Sequence, residues 1–123
     1  MRTAVIAFAA AGLFASGSAM AADTGTDMDF LKASRCRGLA QAGTLTPVDA
    51  KALDSYVKAA ERVRAGYILE RARNEEARAK REARDKNHSA RLSAELNGAC
   101  MAYMGGAAPT ATASAQSGAP VQN

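Results

Sequence analysis

Apolar positions recur at helical spacing over three stretches of the chain. In the first, Phe30, Leu31, Ala33, Cys36, Leu39 and Ala40 make a moderate apolar face over residues 27–42. Thr26 is placed to N-cap it, Asp27 and Asp29 fall in the first turn, and Gly43 is a natural stop. In the second, Val48, Leu53, Tyr56, Val57, Ala60, Val63, Tyr67 and Ile68 lead from Pro47 into a charged region, predicting a helix over 47–86. There Thr46 is the expected N-cap, Pro47 the first helical residue, and Asp49 the capping-box partner. The third spans 89–104, with Leu92, Leu96 and Cys100 four apart on one stripe, Tyr103 near its end, and Gly105 and Gly106 behind it. The pattern predicts an all-α fold: a small helical hairpin or three-helix arrangement with a long charged central helix.

The charged region is alanine-rich and mixed in sign. From Glu61 to Arg91 there are ten Lys/Arg and six Asp/Glu. Arg71 with Glu75, Glu76 with Lys80, Arg78 with Glu82, and Glu82 with Lys86 stand four apart, each pair adding about 0.2–0.5 kcal/mol to a helix. The apolar seam is narrow: Ala65, Ile68, Ala72, Ala79, Ala83 and Ala90. Arg78, Lys80, Arg81, Arg84 and Lys86 form the densest basic cluster. The charge alternation favours a solvated, self-paired helix. Nucleic acid is not the expected partner, since no aromatic residue lies between Tyr67 and Tyr103 to stack on bases.

The first residues set the compartment. Met1-Arg2, the uncharged run 4–15 and the Ala19-Met20-Ala21 site make a secretory signal peptide over residues 1–21. The run falls short of the roughly 20 residues of a membrane span. Cleavage near Ala21 leaves a short segment over 22–26 and predicts a bacterial periplasmic or secreted protein. Of the chain's 16 Lys+Arg only Arg2 is lost, so the net charge of +4 becomes +3. Phe30, Tyr56, Tyr67 and Tyr103 are the remaining aromatics, a small stock for a core. Residues 105–123, small, uncharged and Pro-bearing, read as a disordered tail.

So small a domain often needs a covalent staple. Cys36 and Cys100 both lie in the exported part, where thiols oxidise. An intramolecular disulfide is the favoured reading. Two free thiols, a metal pair with His88 and an intermolecular bridge are the competing ones. Geometry adds a demand. One helix from Pro47 to Met104 would be about 87 Å long, leaving Cys100 about 70 Å from the level of Cys36 if the first helix folds back beside Leu53. The chain must therefore reverse between Asn74 and Ser89. Residues 86–89 are the favoured place, with Asn87 or Ser89 capping the third helix.

Little points to catalysis. His88 is the only histidine and sits among charges, with Asp85 three residues before it. There is no phosphate-binding glycine loop, nucleophile elbow, zinc spacing or haem-attachment motif. No catalytic residue, metal or cofactor is assigned.

"LTPVDAKAL" from Leu45 to Leu53 resembles the LTxxQ-type helix start of small periplasmic helical chaperones and metal-stress proteins, with Asp49 where Gln is expected. The plan of signal peptide, small helical domain and two cysteines is also similar to acid-stress chaperones and secreted-toxin immunity proteins. This resemblance covers one helix start and the general architecture, so no binding residue is carried over. The expected function is non-enzymatic binding of another protein, as a chaperone, inhibitor or immunity factor would, through Tyr56, Tyr67 and Tyr103 with nearby arginines. The competing reading of the three tyrosines is core packing between helices, since each lies on its helix's apolar stripe. The alternative is an envelope-surface component that meets anionic lipid or polymer through Arg78, Lys80, Arg81, Arg84 and Lys86. The sequence sets no oligomeric state.

Overall fold

A computed structural model describes residues 24–109. The proposed signal peptide and the part of the expected tail beyond Pro109 lie outside the described residues. The described chain is all-helical. It comprises α1 (Asp27–Gln41), α2 (Lys51–Glu61), α3 (Gly66–Ala83), a 3₁₀ turn (Lys86–His88), α4 (Ser89–Asn97) and a second 3₁₀ turn (Ala99–Tyr103).

α1 starts where its sequence says it should. The Thr26 hydroxyl accepts from the Asp29 N–H at 3.1 Å, and the Asp29 carboxylate accepts from the Thr26 N–H at 2.9 Å. That is a complete capping box, satisfying two backbone donors left open at a helix start. Gly43, at φ +70°, ends the helix in the left-handed region that glycine enters without steric cost. Between these ends Phe30, Ala33 and Leu39 are wholly buried, and the buried Ser34 hydroxyl donates to the Phe30 carbonyl at 2.8 Å. Small residues at Ala33, Ser34 and Gly38 let neighbours approach α1 from more than one side, which makes it the most enclosed helix.

Its neighbours can be ordered from pairs of touching residues. Arg64 meets Asp27, Gly38 lies against Glu76 and Ala79, and Thr44 donates to the Ala83 carbonyl. Both numbers rise together, so α1 and α3 run parallel, with α2 in the crossover between them. Arg35 meets Glu95, Cys36 is joined to Cys100, and Tyr103 meets Asp29. From Asp29–Tyr103 to Arg35–Glu95 one number falls as the other rises, so the segment from α4 to the turn after it runs antiparallel to α1. The core between them holds Phe30, Leu39, Leu53, Val57, Leu92 and Leu96.

The single helix expected over 47–86 is two helices. Residues 46–50 are not helical, and α2 begins at Lys51 with Ala50 before it and no side-chain cap. Thr46, Pro47 and Asp49 therefore do not form the predicted cap. Asp49 instead accepts the Lys51 N–H at 3.1 Å. Between α2 and α3 the chain turns over residues 62–65, ahead of Gly66, a poor helix former. The turn lets Arg64 reach inward to the carbonyls of Thr24 and Gly25 and to the Asp27 carboxylate. An unbroken helix would carry that side chain along its own surface.

The reversal before α4 falls at residues 84–88. Asp85, not Asn87 or Ser89, organises it by accepting the Asn87 N–H at 2.9 Å. The segment expected as one helix over 89–104 also divides. α4 stops at Gly98, and the 3₁₀ turn behind it directs Cys100 to Cys36 and Tyr103 to Asp29. The alanine seam is shorter than expected: Ile68, Ala72, Ala79 and Ala83 are buried, while Ala65 and Ala90 are exposed. The start of the expected tail is packed. Ala108 is buried close to Gly25, and Gly106 lies close to Ala52.

Candidate interaction surface

Cys36 and Cys100 form a disulfide with Cα atoms 5.5 Å apart, tying α1 to the turn after α4. Two arginines on α1 cross-tie the same helices by charge. Arg35 donates from Nε and Nη2 to the two Glu95 oxygens at 2.6 and 3.0 Å, and from Nη2 to Glu82 at 2.9 Å. Arg37 donates from Nε and Nη2 to Glu76 at 2.9 and 2.6 Å, and from Nη2 to Glu61 at 3.2 Å. Arg35 thus links α1, α3 and α4, and Arg37 links α1, α2 and α3.

These ties shift the groups that make them. Hydrogen bonds to Glu95 and then to Glu82 hold the Arg35 guanidinium charged against the opposing effect of burial. Burial also works against Arg37, and Glu76 and Glu61 outweigh it. Burial raises the Glu76 carboxyl, yet hydrogen bonds from Lys80 and Arg37 bring it below the ordinary glutamate value. The Arg35 hydrogen bond chiefly lowers Glu82.

The three tyrosines have different fates. Tyr56 and Tyr103 are buried, 3% and 5% exposed, with ring centroids 6.4 Å apart. The Tyr56 hydroxyl donates to the Thr24 carbonyl at 2.8 Å, and that of Tyr103 to the Asp29 carboxylate at 3.2 Å. Of the two readings, partner-facing surface and core packing, these two residues take the second: each lies on the apolar stripe of its own element and packs inward. Tyr67 is 71% exposed.

The five expected basic residues also divide. Arg78 pairs with Glu82 and Lys80 with Glu76, both at 2.7 Å. Arg81, Arg84 and Lys86 are exposed and have no carboxylate partner among the described residues. Opposite the buried seam of α3, Arg73, Ala77, Arg81 and Arg84 recur at four- and three-residue spacing and share an outer face.

Of a second group of exposed residues, only Tyr67 was read from the sequence. Met28 is 57% exposed, Val63 66% and Tyr67 71%. All three lie at one end of the molecule, where α1 begins, α2 ends and α3 begins, as the Arg64–Asp27 pair fixes. Met28, Leu31 and Lys32 on α1 border a groove of about 140 Å³ with Arg71 and Glu75 on α3. A larger cleft of about 670 Å³ opens on the other side, walled by the disulfide, Ala99, Ala102 and Tyr103. Lys32 and Arg35 border both hollows. Arg35 is neutralised by Glu82 and Glu95. Lys32 is exposed, and its charge helps to lower the Asp29 carboxyl three residues before it. The readable signal was Met28: a large apolar residue on α1 outside the stripe assigned to the core.

Among the described residues, no group of three His, Cys, Asp or Glu is arranged to hold a metal ion, and no helix is long and apolar enough to cross a membrane. Comparison with protein families, curated proteins and solved structures gives no match. The disulfide is consistent with an oxidising compartment.

Proposed function

We propose that this is a non-enzymatic helical protein of the periplasm or another exported space, delivered there by the signal peptide at residues 1–21, and that it binds another protein. The observation that carries this reading is the gathering of exposed Met28, Val63 and Tyr67 at one end of a fold whose other described large apolar side chains, Met101 apart, are buried or partly buried. Large apolar and tyrosine side chains beside arginine are the chemistry of protein-binding hot spots. Most carboxylates are already engaged in ion pairs or caps, and His88 is exposed 3.4 Å from Asp85, which suits contact better than proton transfer. The test is a photo-crosslinking amino acid in place of Tyr67 in cells that make the protein. The expected result is one discrete adduct, absent when the label replaces Arg84. Labelling of many proteins equally from both positions would refute the reading.

The outer face of α3 favours a second reading, contact with an anionic envelope surface. Arg73, Arg81 and Arg84 lie on it with no carboxylate partner among the described residues. Such contact is screened by salt. Co-sedimentation with phosphatidylglycerol vesicles, abolished by moderate salt and by Arg81→Glu with Arg84→Glu, is its expected signature. Failure to sediment at low salt removes it.

A further inference from the structure

We infer that the protein stands on an anionic phospholipid surface by the end where α3 reverses into α4, held by Arg81, Arg84, Lys86 and Arg91, with its Met28 and Tyr67 end turned away. This rests on the anionic-surface reading and adds to it the point of contact and the posture.

The first observation is where the charge lies. Residues 24–76 hold nine Lys/Arg and eight Asp/Glu, whereas residues 77–95 hold six and three. The ion pairs sharpen the contrast. Arg35 and Arg78 occupy Glu82 and Glu95, two cations on two carboxylates. Arg37 and Lys80 occupy Glu61 and Glu76 in the same ratio. Arg81, Arg84, Lys86 and Arg91 are left, all exposed, against Asp85. The Thr44–Ala83 hydrogen bond places the end of α1 here too, and residues 42–48 behind it carry no charge. The C-termini of α1 and α3 bring about half a negative charge each and the start of α4 about half a positive one, so an excess of about two charges remains.

The second is the character of this end. None of the four cations borders the groove or the cleft. The residues among them, Asn87, His88 and Ala90, are exposed and include no large apolar side chain. There is no anchor for a protein hot spot, no Phe, Tyr or Trp to stack on bases, and nothing to insert into a bilayer. Three of the four are arginines, whose planar forks match the paired oxygens of a phosphodiester. A layer of repeated phosphates, touched from outside, fits such an end.

The third is geometry. α1 and α3 run parallel, so both end here and both begin at the Met28 and Tyr67 end, about 27 Å away along the 18 residues of α3. Arg73 lies about 16 Å back from Arg84, with exposed Glu70 one turn before it to offset its charge. The excess is therefore at the end of α3 and not along it. Contact with lipid and contact with a protein partner then belong to opposite ends of one molecule.

The test is co-sedimentation of the disulfide-bonded mature chain with phosphatidylglycerol vesicles, phosphatidylcholine vesicles being the control. At about 0.1 M salt the screening length is about 10 Å. There Arg84→Gln, Lys86→Gln and Arg91→Gln should each weaken partition about five-fold, the worth of one basic residue at an anionic membrane. Arg73→Gln should leave it within about two-fold. All four side chains are exposed, and circular dichroism verifies that the variants keep the fold. Posture is read on bicelles of the same lipid carrying a headgroup spin label. Amide signals from Arg84 to Arg91 should broaden, and those of Met28 and Tyr67 should stay sharp. Equal loss with Arg73→Gln, or equal broadening at Tyr67, overturns the inference and leaves the anionic-surface reading standing. Equal partition to phosphatidylcholine, or no sedimentation at low salt, removes both. Poly-glutamate that shifts the Arg84 to Arg91 amides where vesicles do not would make the occupant an acidic protein and overturn it as well.

Discussion

Gly38 of α1 lies so close to Glu76 of α3 that a Cβ added to it would stand 2.5 Å from the Glu76 carbonyl oxygen and 3.0 Å from the Ala79 Cβ. Backbone sets this contact, so no side-chain rotation relieves it. In an isolated helix, alanine is favoured over glycine by about 1 kcal/mol. Here the forced separation of two parallel helices outweighs that gain. Gly38→Ala is expected to lower stability by about 1–3 kcal/mol, the usual cost of overpacking. Urea unfolding checks it, and an unchanged or raised midpoint would show that the helices move apart freely.

The disulfide spans 64 residues of sequence. Closing so long a loop in the unfolded chain is worth about 4 kcal/mol by loop entropy. Cys36→Ser with Cys100→Ser is therefore expected to remove a large part of a small domain's stability, of the order 5 kcal/mol in total. Thermal unfolding with and without reductant measures it. Equal melting temperatures would mean that the arginine cross-ties alone hold α1 in place.

Those cross-ties predict acid sensitivity. Glu76 and Glu82 are both lowered in the folded state. A carboxylate lowered on folding contributes stability above its unfolded value, and that contribution disappears as pH falls through its folded value. Stability is thus expected to hold from neutrality to about pH 5, then fall below about pH 4. Glu76→Gln should lower stability at neutral pH and flatten the acid limb, because the titrating group is gone. An acid limb as steep as in the wild type would place the sensitivity elsewhere.

Much of the fold was legible because its causes are local. Thr26 and Asp29 form their capping box whatever packs around them, and Gly43 ends α1 by its own backbone freedom. The stripe of Leu92, Leu96 and Cys100 is buried where periodicity placed it. The break at 62–65 was not legible, because its cause is distant: Arg64 turns in to hold Thr24, Gly25 and Asp27, about forty residues away. Thr46 and Pro47 show the converse. Their local chemistry favours a helix start, yet α2 begins at Lys51. Nor was the parallel course of α1 and α3 legible, since it depends on the approach at Gly38. The groove that Lys32 and Arg71 border is a consequence of that course and was hidden with it.

Arg64 offers a direct test of such distant control. Its Nη2 donates to the Thr24 and Gly25 carbonyls at 2.5 and 2.7 Å, its Nη1 meets Asp27 at 3.0 Å, and its guanidinium lies 5.7 Å from the Phe30 ring centroid. Lysine keeps the charge but loses the planar fork. Arg64→Lys is expected to cost about 1–2 kcal/mol and to raise hydrogen exchange at Asp29 and Phe30. Protection there equal to the wild type would show that the capping box holds the start of α1 unaided.

The three tyrosines give the sharpest contrast, since the sequence leaves both surface and core open for all three. Tyr56 and Tyr103 fill the core and each makes a hydrogen bond, while Tyr67 is largely in solvent. Tyr56→Ala is expected to cost about 3–5 kcal/mol, the range for deleting a buried aromatic. Tyr103→Phe keeps the ring and removes only the bond to Asp29, so about 1 kcal/mol is expected. Tyr67→Ala should change stability by no more than about 0.5 kcal/mol. Tyr103 adds an alkaline signature: burial, then the Asp29 carboxylate, pushes its phenol far above the ordinary range. A group raised on folding loses its contribution as pH climbs past its unfolded value, so Tyr103 weakens the fold above about pH 10. Denaturant titration of the three variants, with phenolate absorbance followed to high pH, should separate Tyr67→Ala from the other two. A loss at Tyr67 matching that at Tyr56 would place Tyr67 in the core and remove the exposed surface on which partner binding depends.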